Sequence, residues 1–482
     1  MATKRDLVEA YSFSRRRLVT AFVSGAPGGR EVEPARPGRT IVGGLALAVL
    51  LMAGAAIAGV FAPKDPEDWT QPGLIVSKET GAAYVIVEES EHPVLRPVIN
   101  ITSARLILDT GGDVEPRIVS QKTIESQTIG DDIGILGAPA SVPDDSLLIP
   151  DGWTACTRAG SGLRVDVSAT SQARAALDNG FVVTSQKTTY VIAEASDGTG
   201  AHRYQLPAGG KLGEGQDNLL ADLQLPNRAG GTEVPEEWLA LFPEGGDLSW
   251  DTFGLTGFGD PAPDRGEFGI PGDARIGDVL TTGDESLLLT QDGPEPLDDF
   301  ALAVYRNSPT PTGRIAEGSR SGRAPVEWTL DSPPNVGQVK GPYESEHWPS
   351  GTLRATEGDH CALLAAEKGE APVAHVATDA TGDASPADVR EGERSVRVQP
   401  GRGAYVLSGD WGQSAGGAPF LIDAKGQSYP LEGPDVATRL GYGDYPVAEV
   451  PDSWVGLFDE GVYLSVDAAL CPPRSEGSRG CA

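Results

Sequence analysis

One uninterrupted apolar segment, residues 41–61, constrains this chain more than any other feature of its sequence. It contains 21 residues without a charge, and an α-helix of that length rises about 32 Å, the thickness of the hydrocarbon core of a bilayer. The triplet Ala56-Ile57-Ala58 also fits a signal-peptidase site. However, the apolar region of a signal peptide is only about 7–15 residues long and starts close to the N-terminus. The segment is therefore predicted to be a single, uncleaved transmembrane helix.

Charge is distributed unevenly on the two sides of this segment. The chain carries 38 Lys and Arg against 69 Asp and Glu, and the 421 residues after position 61 have a net charge of −35. Basic residues concentrate before the span, and such residues stay on the cytoplasmic side, so the N-terminus is predicted to be cytoplasmic and the remainder extracytoplasmic. The expected location is the inner (plasma) membrane, as a single-pass protein. A strongly acidic domain repels phosphate backbones, so nucleic acid is excluded as a partner.

The cytoplasmic segment is predicted to form an amphipathic helix over residues 4–23. Its apolar residues fall within about 120° of the helical wheel, and Arg15 lies on the same face. The basic run beside that face suits either the membrane surface or a cytoplasmic partner protein. Both alternatives stay open, and residues 24–40 are interpreted as a linker. The predicted partner-binding residues are Tyr11, Arg15, Arg16, Arg17, Leu18 and Phe22.

All four cysteines follow the predicted span, where disulfides form and persist. Four cysteines allow three pairings. We favour Cys471 with Cys481, which closes a short loop, and Cys156 with Cys361, which ties distant regions of the chain together. Free buried thiols are the alternative. The four cysteines therefore predict two disulfides in the extracytoplasmic region.

The extracytoplasmic region contains a diverged repeat. Each copy has an apolar strand, a glycine turn, a short Tyr-containing strand and then V-P-x-x-W with a Phe four residues after the Trp. The V-P-x-x-W motif begins at Val234 in one copy and at Val450 in the other. This order predicts a hairpin followed by a short helix whose Trp and Phe pack in the core. With two weaker copies, it predicts a mainly β fold with short helices (α+β), in which about four small repeats surround a central β domain.

Domain boundaries follow from these repeats and from the segments between them. The predicted divisions are residues 1–40 (cytoplasmic helix and linker), 41–61 (transmembrane helix), 62–115 (repeat 1), 116–185 (first segment of the central domain), 186–262 (repeat 2), 263–315 (repeat 3), 316–403 (second segment of the central domain), 404–468 (repeat 4) and 469–482 (a tail with a cysteine pair).

Motifs for catalysis are weak or absent in the sequence. A phosphate loop requires G-x-x-x-x-G-K-[ST], and no window supplies it. Gly412-Gln-Ser414-Ala-Gly416 matches G-x-S-x-G, but a hydrolase elbow needs a strand before it, a helix after it and a downstream histidine. Asp109-Thr-Gly111 matches the aspartic-protease signature without a second copy. The five histidines have no metal-ligand spacing. We therefore expect no enzymatic activity, no metal and no cofactor.

Several motifs together resemble the EccB component of the type VII (ESX) secretion systems of actinobacteria. The likeness covers nearly the whole chain. The residues that carry it are Ala10-Tyr-Ser-Phe-Ser-Arg-Arg-Arg-Leu-Val19, Trp69-Thr-Gln-Pro-Gly73, Thr80-Gly81, Tyr84-Val85, Pro97-Val-Ile-Asn-Ile-Thr-Ser-Ala-Arg-Leu106, Gly152-Trp153-Thr-Ala-Cys156, Ile270-Pro271-Gly272 and Arg275-Ile-Gly-Asp-Val279.

The resemblance implies a structural membrane subunit of a protein-export channel. EccB-like proteins assemble with the motor ATPase EccC, with EccD and with EccE into a hexameric inner-membrane complex, and a mycosin protease is a further candidate partner. The resemblance also implies four repeats around a central β domain and a disulfide between Cys156 and Cys361. Family members are sometimes described as ATP-hydrolysing, for which this sequence has no phosphate loop.

Two competing functional classes stay open beside the structural one. The chain could be a membrane-tethered extracytoplasmic hydrolase that uses Asp109 or Ser414, or a cell-wall-binding module. The expected function is a structural subunit that anchors and organises the extracytoplasmic side of the channel.

Overall fold

The computed structural model describes residues 3–24, 65–112, 114–207, 213–263, 265–308, 324–334, 343 and 346–473. The chain divides into two compact units, residues 1–64 and 65–482. The described portion of the first unit is one helix, α1 (Lys4–Ser24), which confirms the helix predicted over residues 4–23. The predicted linker and transmembrane segment lie outside the described residues. Among the helices of the described ranges, none is both long enough and apolar enough to cross a membrane.

The second unit is mainly β with few helices, which confirms that aspect of the predicted fold class. A six-stranded central sheet has the strand order β20-β7-β6-β18-β19-β8. Its two inner hairpins meet where β6 pairs antiparallel with β18. The central strands are β6 (Thr154–Thr157), β7 (Leu163–Val167), β8 (Arg174–Ala175), β18 (His360–Ala365), β19 (Val373–Thr378) and β20 (Arg394–Val398).

Four further sheets, which we call outer sheets 1 to 4 in chain order, share one strand arrangement. Each has three consecutive antiparallel strands and a later strand that pairs parallel with the first. A parallel return requires a crossover connection, and a helix lies in that connection in every sheet. Four segments of the chain therefore fold to the same local topology.

The bounds of the outer strands are as follows. Outer sheet 1 contains β1 (Gly73–Ser77), β2 (Ala83–Ile86), β3 (Val94–Pro97), β4 (Arg117–Val119) and β5 (Thr128–Ile129). Outer sheet 2 contains β9 (Asn179–Ser185), β10 (Thr188–Glu194), β11 (Ala201–Gln205), β12 (Thr232–Glu233) and β17 (Arg354–Ala355). Outer sheet 3 contains β13 (Val279–Thr282), β14 (Glu285–Thr290), β15 (Gly293–Leu297) and β16 (Glu327–Thr329). Outer sheet 4 contains β21 (Ala404–Gly409), β22 (Ala418–Ile422), β23 (Gln427–Pro430), β24 (Glu449–Pro451) and β25 (Asp459–Glu460).

The helices of this unit are short. They are α2 (Ile101–Ile107), α3 (Gln121–Glu125), α4 (Gly213–Asp222), α5 (Glu236–Leu239), α6 (Arg265–Phe268), α7 (Asp299–Asn307), α8 (Val436–Leu440), α9 (Asp452–Val455) and α10 (Val466–Ala469). Single 3-10 turns occur at Asp145–Leu147, Arg228–Gly230, Trp250–Phe253, Gly382–Ala384 and Pro386–Asp388. Helix α2 packs against α8, and α4 packs against α7, so the outer sheets are joined in pairs, 1 with 4 and 2 with 3.

Three of the outer sheets extend beyond the predicted domain boundaries. Strand β4 pairs with β1, so outer sheet 1 continues past residue 115. Strand β9 begins seven residues before the predicted start of repeat 2 at residue 186, and β16 completes outer sheet 3 beyond residue 315. Strands of two or three residues are too short to show the alternation of apolar and polar residues that identifies a strand. The sequence pattern therefore located the hairpins and missed the returning strands.

The two V-P-x-x-W segments pack where the sequence predicts, in the core beside the central sheet. Helices α5 and α9 begin directly after Pro235 and Pro451, which occupy their N-cap positions. Trp238 and Trp454 are fully buried in one cluster with side chains of the central sheet. Each helix is a single turn, and Phe242 follows α5 yet still meets Trp238 edge-on at 5.3 Å between ring centroids. The predicted role of these aromatic residues in core packing is confirmed.

Candidate functional site

Helix α1 presents an apolar face that nothing in its own described unit covers. A shallow groove on this face is lined by Tyr11, Ser14, Arg15, Leu18, Val19 and Phe22. Phe22 is 91% exposed and Tyr11 is 73% exposed. Large side chains of this kind gain about 1.5–3 kcal/mol each when they are buried. The face is therefore a candidate docking surface, which we call the α1 face.

The structure brings together four of the six residues that the sequence predicts to bind a partner. Tyr11, Arg15, Leu18 and Phe22 recur at intervals of three or four residues and line the same groove. At 3.6 residues per turn, Arg16 and Arg17 point about 120–140° away from Tyr11, on either flank of the α1 face. Apolar contact and basic charge therefore occupy adjacent sectors of one helix.

The disulfide between Cys156 and Cys361 lies in the middle of the central sheet. The two residues are directly opposite each other in the register of β6 and β18, with their Cα atoms 4.1 Å apart. Both side chains are fully buried. This predicted pairing is confirmed. Cys471 is buried and disulfide-bonded, whereas its predicted partner Cys481 lies outside the described residues.

Asp109, the first residue of the D-T-G motif, lies beside a cation. Its carboxylate is 3.6 Å from the guanidinium of Arg439 on α8, and its side chain is 72% exposed. An aspartic-protease site instead needs two carboxylates that share a proton. The geometry at Asp109 is that of a surface ion pair at the junction of α2 and α8.

Ser414, the central residue of the G-x-S-x-G motif, lies in the loop that joins β21 to β22. These two strands pair antiparallel, so the serine sits on a hairpin connection. The elbow that activates a hydrolase serine joins a strand to a helix. The local structure around Ser414 therefore differs from that elbow.

Two histidines that are distant in sequence come together beside outer sheet 2. The rings of His202 and His347 stack with 4.9 Å between centroids, and His347 Nδ1 lies 2.6 Å from a carboxylate oxygen of Asp197. Burial lowers the pKa of His202. Sequence spacing alone could not reveal this pair, because 145 positions separate its members. In the described ranges, no group of three or more His, Cys, Asp or Glu residues could hold a metal ion.

A third histidine, His375, has its pKa shifted in the opposite direction from that of His202. His375 Nδ1 is 3.2 Å from a carboxylate oxygen of Glu194 on β10. The hydrogen bond with this carboxylate raises the pKa of His375. The other oxygen of Glu194 accepts a hydrogen bond from the backbone N–H of Val376, at 2.7 Å. The contact therefore joins outer sheet 2 to strand β19 of the central sheet.

Comparisons with known proteins agree on one family. The family described as "Type VII secretion system ESX-1, transport TM domain B" matches residues 1–473. The ESX-1 secretion system ATPase EccB1 of Mycolicibacterium smegmatis (strain MKD8) is 24% identical over 459 residues, which cover 90% of this chain and 87% of that protein.

Two solved structures share the fold. A chain of the intact ESX-5 inner membrane complex is 20% identical with a TM-score of 0.58, and the match covers 99% of this chain and 97% of that one. The EccB3 dimer from the ESX-3 core complex is 20% identical with a TM-score of 0.59, and the match covers 83% of this chain and 99% of that one.

Proposed function

This chain belongs to the EccB family of type VII secretion proteins, and we propose that it is a structural subunit of an inner-membrane secretion complex. The family match over residues 1–473 carries the proposal. Solved relatives are described as components of an intact inner membrane complex and as a dimer, which supports both larger assembly and self-association. In the proposed arrangement, residues 41–61 anchor the chain, residues 1–40 are cytoplasmic and the acidic remainder organises the extracytoplasmic side of the channel.

The proposed cytoplasmic contact is the α1 face. Four large apolar side chains of this face are exposed in the described unit, those of Tyr11, Leu18, Val19 and Phe22. Their burial against another subunit would add stability to a complex. The flanking arginines favour a partner with acidic residues around an apolar groove. The motor ATPase EccC and the membrane subunits EccD and EccE are the proposed partners, within a hexameric complex that contains several copies of this chain. A mycosin protease is the proposed extracytoplasmic partner.

The proposed extracytoplasmic role is that of a rigid scaffold. We infer that the four outer sheets are copies of one repeat unit, because they share strand order and a returning parallel strand. The buried disulfide and the paired helices hold them around the central sheet. A scaffold of this kind keeps its surfaces at fixed distances, which an export channel requires.

The proposed role does not include catalysis, although a relative is named an ATPase. Support comes from the sequence, which has no G-x-x-x-x-G-K-[ST] segment, and from the positions of Asp109 and Ser414. We expect Asp109→Ala and Ser414→Ala to leave secretion at the wild-type level. Loss of secretion by either variant at normal abundance and normal unfolding midpoint would indicate chemistry instead.

The test of the assembly role is gentle detergent extraction of the tagged full-length protein from its own membranes. Native sizing and mass spectrometry of the co-purifying chains should identify a large assembly that contains a motor ATPase. A lone chain of 50.2 kDa, or only small homo-oligomers in several detergents, would contradict the proposal.

A matched pair of variants tests the α1 face. Leu18→Ala combined with Phe22→Ala removes two side chains from the groove, whereas Phe13→Ala removes another exposed aromatic side chain from the opposite side of the same helix. All three changes favour helix formation. We expect only the double variant to lose its cytoplasmic partners. If that variant keeps its partners but no longer binds vesicles, the face docks on the membrane instead.

A further inference from the structure

A polar cavity of about 440 Å³ opens on outer sheet 2. This volume is within the range of small-molecule pockets in proteins. The cavity lies between the β9–β10 turn, the outer ends of β10 and β11, helix α5 and the loop after it. The side chains on which the argument depends are Gln186, Thr188, Tyr190, Arg203, Gln205 and Glu236.

The fold does not require polar side chains at Thr188, Tyr190 and Gln205, as outer sheet 4 demonstrates. In outer sheet 2, Tyr190 is opposite Gln205 across the β10–β11 pair. In outer sheet 4, the corresponding pair on β22 and β23 is Phe420 opposite Pro430. Two residues before Gln205 on β11 is Arg203, and two residues before Pro430 on β23 is Ser428, so these two residues correspond.

The same difference holds at the outer end of the second strand. Two residues before Tyr190 is Thr188, and two residues before Phe420 is Ala418. The same backbone arrangement is therefore built with apolar or small side chains in outer sheet 4. The hydrogen-bonding groups of Thr188, Tyr190 and Gln205 and the guanidinium of Arg203 are therefore an addition to the fold. Ser185 and Glu236, by contrast, have the polar counterparts Ser408 and Asp452 in outer sheet 4.

The charges around the cavity exclude an anionic ligand. Three acidic residues, Glu236, Glu244 and Asp247, line the cavity together with one guanidinium, that of Arg203. Arg203 Nη2 donates to Glu244 at 2.8 Å, and Arg203 Nη1 donates to the backbone carbonyl of Leu239 at 3.1 Å. The amide of Gln186 donates to Glu236. A phosphate or carboxylate would meet a net negative wall whose one guanidinium is already engaged.

The remaining hydrogen-bonding groups are both donors and acceptors and are mostly uncharged. They comprise two amides, the hydroxyls of Ser185 and Thr188 and the phenol of Tyr190. A compact cation could use the carboxylates and the amide and hydroxyl oxygens, but it would leave the N–H donors of the amides without an acceptor, and two of the carboxylates are already hydrogen-bonded. A ligand that carries many hydroxyls can donate to and accept from all of these groups. The half-buried ring of Tyr190 also provides an apolar surface for the C–H face of such a ligand.

We propose that this cavity binds a neutral polyhydroxylated ligand, such as a short oligosaccharide. Gln205 and Thr188 supply hydrogen bonds to its hydroxyls, and Tyr190 supplies both its ring face and its phenol. Arg203 and Gln186 hold the carboxylates of the wall in place. The proposal does not depend on membership of a secretion complex, because it concerns a surface that no proposed contact uses.

The test is calorimetric titration of the full-length protein in lipid nanodiscs, since sugar-based detergents would compete for the cavity. The probes are a panel of neutral di- to tetrasaccharides, with spermidine as a cationic probe and oligogalacturonate as an anionic one. The test variant is Thr188→Ala/Tyr190→Phe/Gln205→Ala. Its first two changes introduce the residues found at the corresponding positions of outer sheet 4, and the third introduces alanine. We expect saturable binding of at least one neutral saccharide and a loss of affinity of about tenfold or more in the variant, which corresponds to ~1.4 kcal/mol.

A control variant separates the cavity from the shared repeat topology. Ala418→Thr combined with Phe420→Tyr adds hydroxyls at the corresponding positions of outer sheet 4 and should leave the affinity unchanged. The proposal is overturned if no neutral saccharide binds saturably. It is also overturned if spermidine or oligogalacturonate alone binds, or if the triple variant retains full affinity with an unchanged unfolding midpoint.

Discussion

Arg105 and Arg439 each donate a hydrogen bond to the C-terminal end of the helix that carries the other. Arg105 Nη1 lies 3.5 Å from the carbonyl oxygen of Leu440 at the end of α8. Arg439 Nη1 lies 3.1 Å from the carbonyl oxygen of Leu106 and 3.4 Å from that of Ile107, at the end of α2. The last carbonyls of a helix have no partner within the helix and carry partial negative charge. The exchange therefore stabilises both helix ends and joins outer sheets 1 and 4.

Removal of this exchange should destabilise the second unit, residues 65–482. We expect Arg439→Ala to lower the free energy of unfolding by about 1–3 kcal/mol, because buried carbonyls lose their partner. The measurement is the urea midpoint of the full-length protein in nanodiscs, followed by tryptophan fluorescence. Arg174→Ala is the control, since its ion pair with Asp379 is exposed and should contribute less than ~1 kcal/mol. Equal effects of the two variants would contradict the proposed role of Arg439.

The same junction should not tolerate a side chain at Gly112. Gly111 and Gly112 both have positive φ angles, 64° and 90°. A Cβ at Gly112 would lie 2.4 Å from the Cα of Gly441, whereas a Cβ at Gly111 meets nothing within 4 Å. Both alanine variants carry backbone strain of about 1–2 kcal/mol, but only Gly112→Ala forces the two backbones apart. The thermal unfolding midpoint of Gly112→Ala should therefore be lower than that of Gly111→Ala. Similar midpoints would show that the backbones at Gly112 and Gly441 are not in close contact in solution.

The disulfide of the central sheet should contribute strongly to stability. Cys156 and Cys361 are 205 positions apart, so the bond restricts the unfolded chain over a long loop. We expect the double variant Cys156→Ala/Cys361→Ala to lose about 2–5 kcal/mol. After denaturation and reduction, the wild type should unfold at or below the midpoint of the variant, because reduction also breaks the bond at Cys471. A midpoint that is the same in variant and oxidised wild type would exclude a stabilising role.

The two corresponding tryptophans should respond differently to the same substitution. Trp238 Nε1 donates to the carbonyl of Ala155 at 2.9 Å, whereas the buried indole nitrogen of Trp454 has no hydrogen-bond partner among the described residues. Replacement by Phe removes a hydrogen bond at Trp238 and relieves an unsatisfied donor at Trp454. We expect Trp238→Phe to cost about 1 kcal/mol more than Trp454→Phe. Urea unfolding of both variants tests the order.

Histidine protonation should give two opposite dependences of stability on pH. The pKa of His375 is raised above its usual value of 6.5 by Glu194, so its contribution is complete below pH 6.5 and is lost as pH rises through the folded-state value. The pKa of His202 is lowered by burial, so its contribution is present above pH 6.5 and is lost as pH falls. The stability of the wild type relative to His375→Gln should therefore fall as pH rises. The stability of the wild type relative to His202→Gln should rise with pH. Parallel profiles would contradict this assignment.

The sequence by itself determined the features that depend on local pattern. The spacing of apolar residues predicted α1, and the repeated V-P-x-x-W motif predicted two short helices with buried aromatic residues. Turn glycines between apolar runs predicted a mainly β fold. These predictions succeed because a helix face, a hairpin and a Pro-led turn are encoded within a few residues of one another.

Only the tertiary structure decided the features that join distant regions of the chain. The returning strands β4 and β16, the stacking of His202 on His347 and the exchange between Arg105 and Arg439 all depend on segments far apart in sequence. The cavity of outer sheet 2 is of the same kind, because its walls come from two strands, a turn and a helix. Single-sequence patterns do not encode which distant segments meet, since packing of the whole unit determines those contacts.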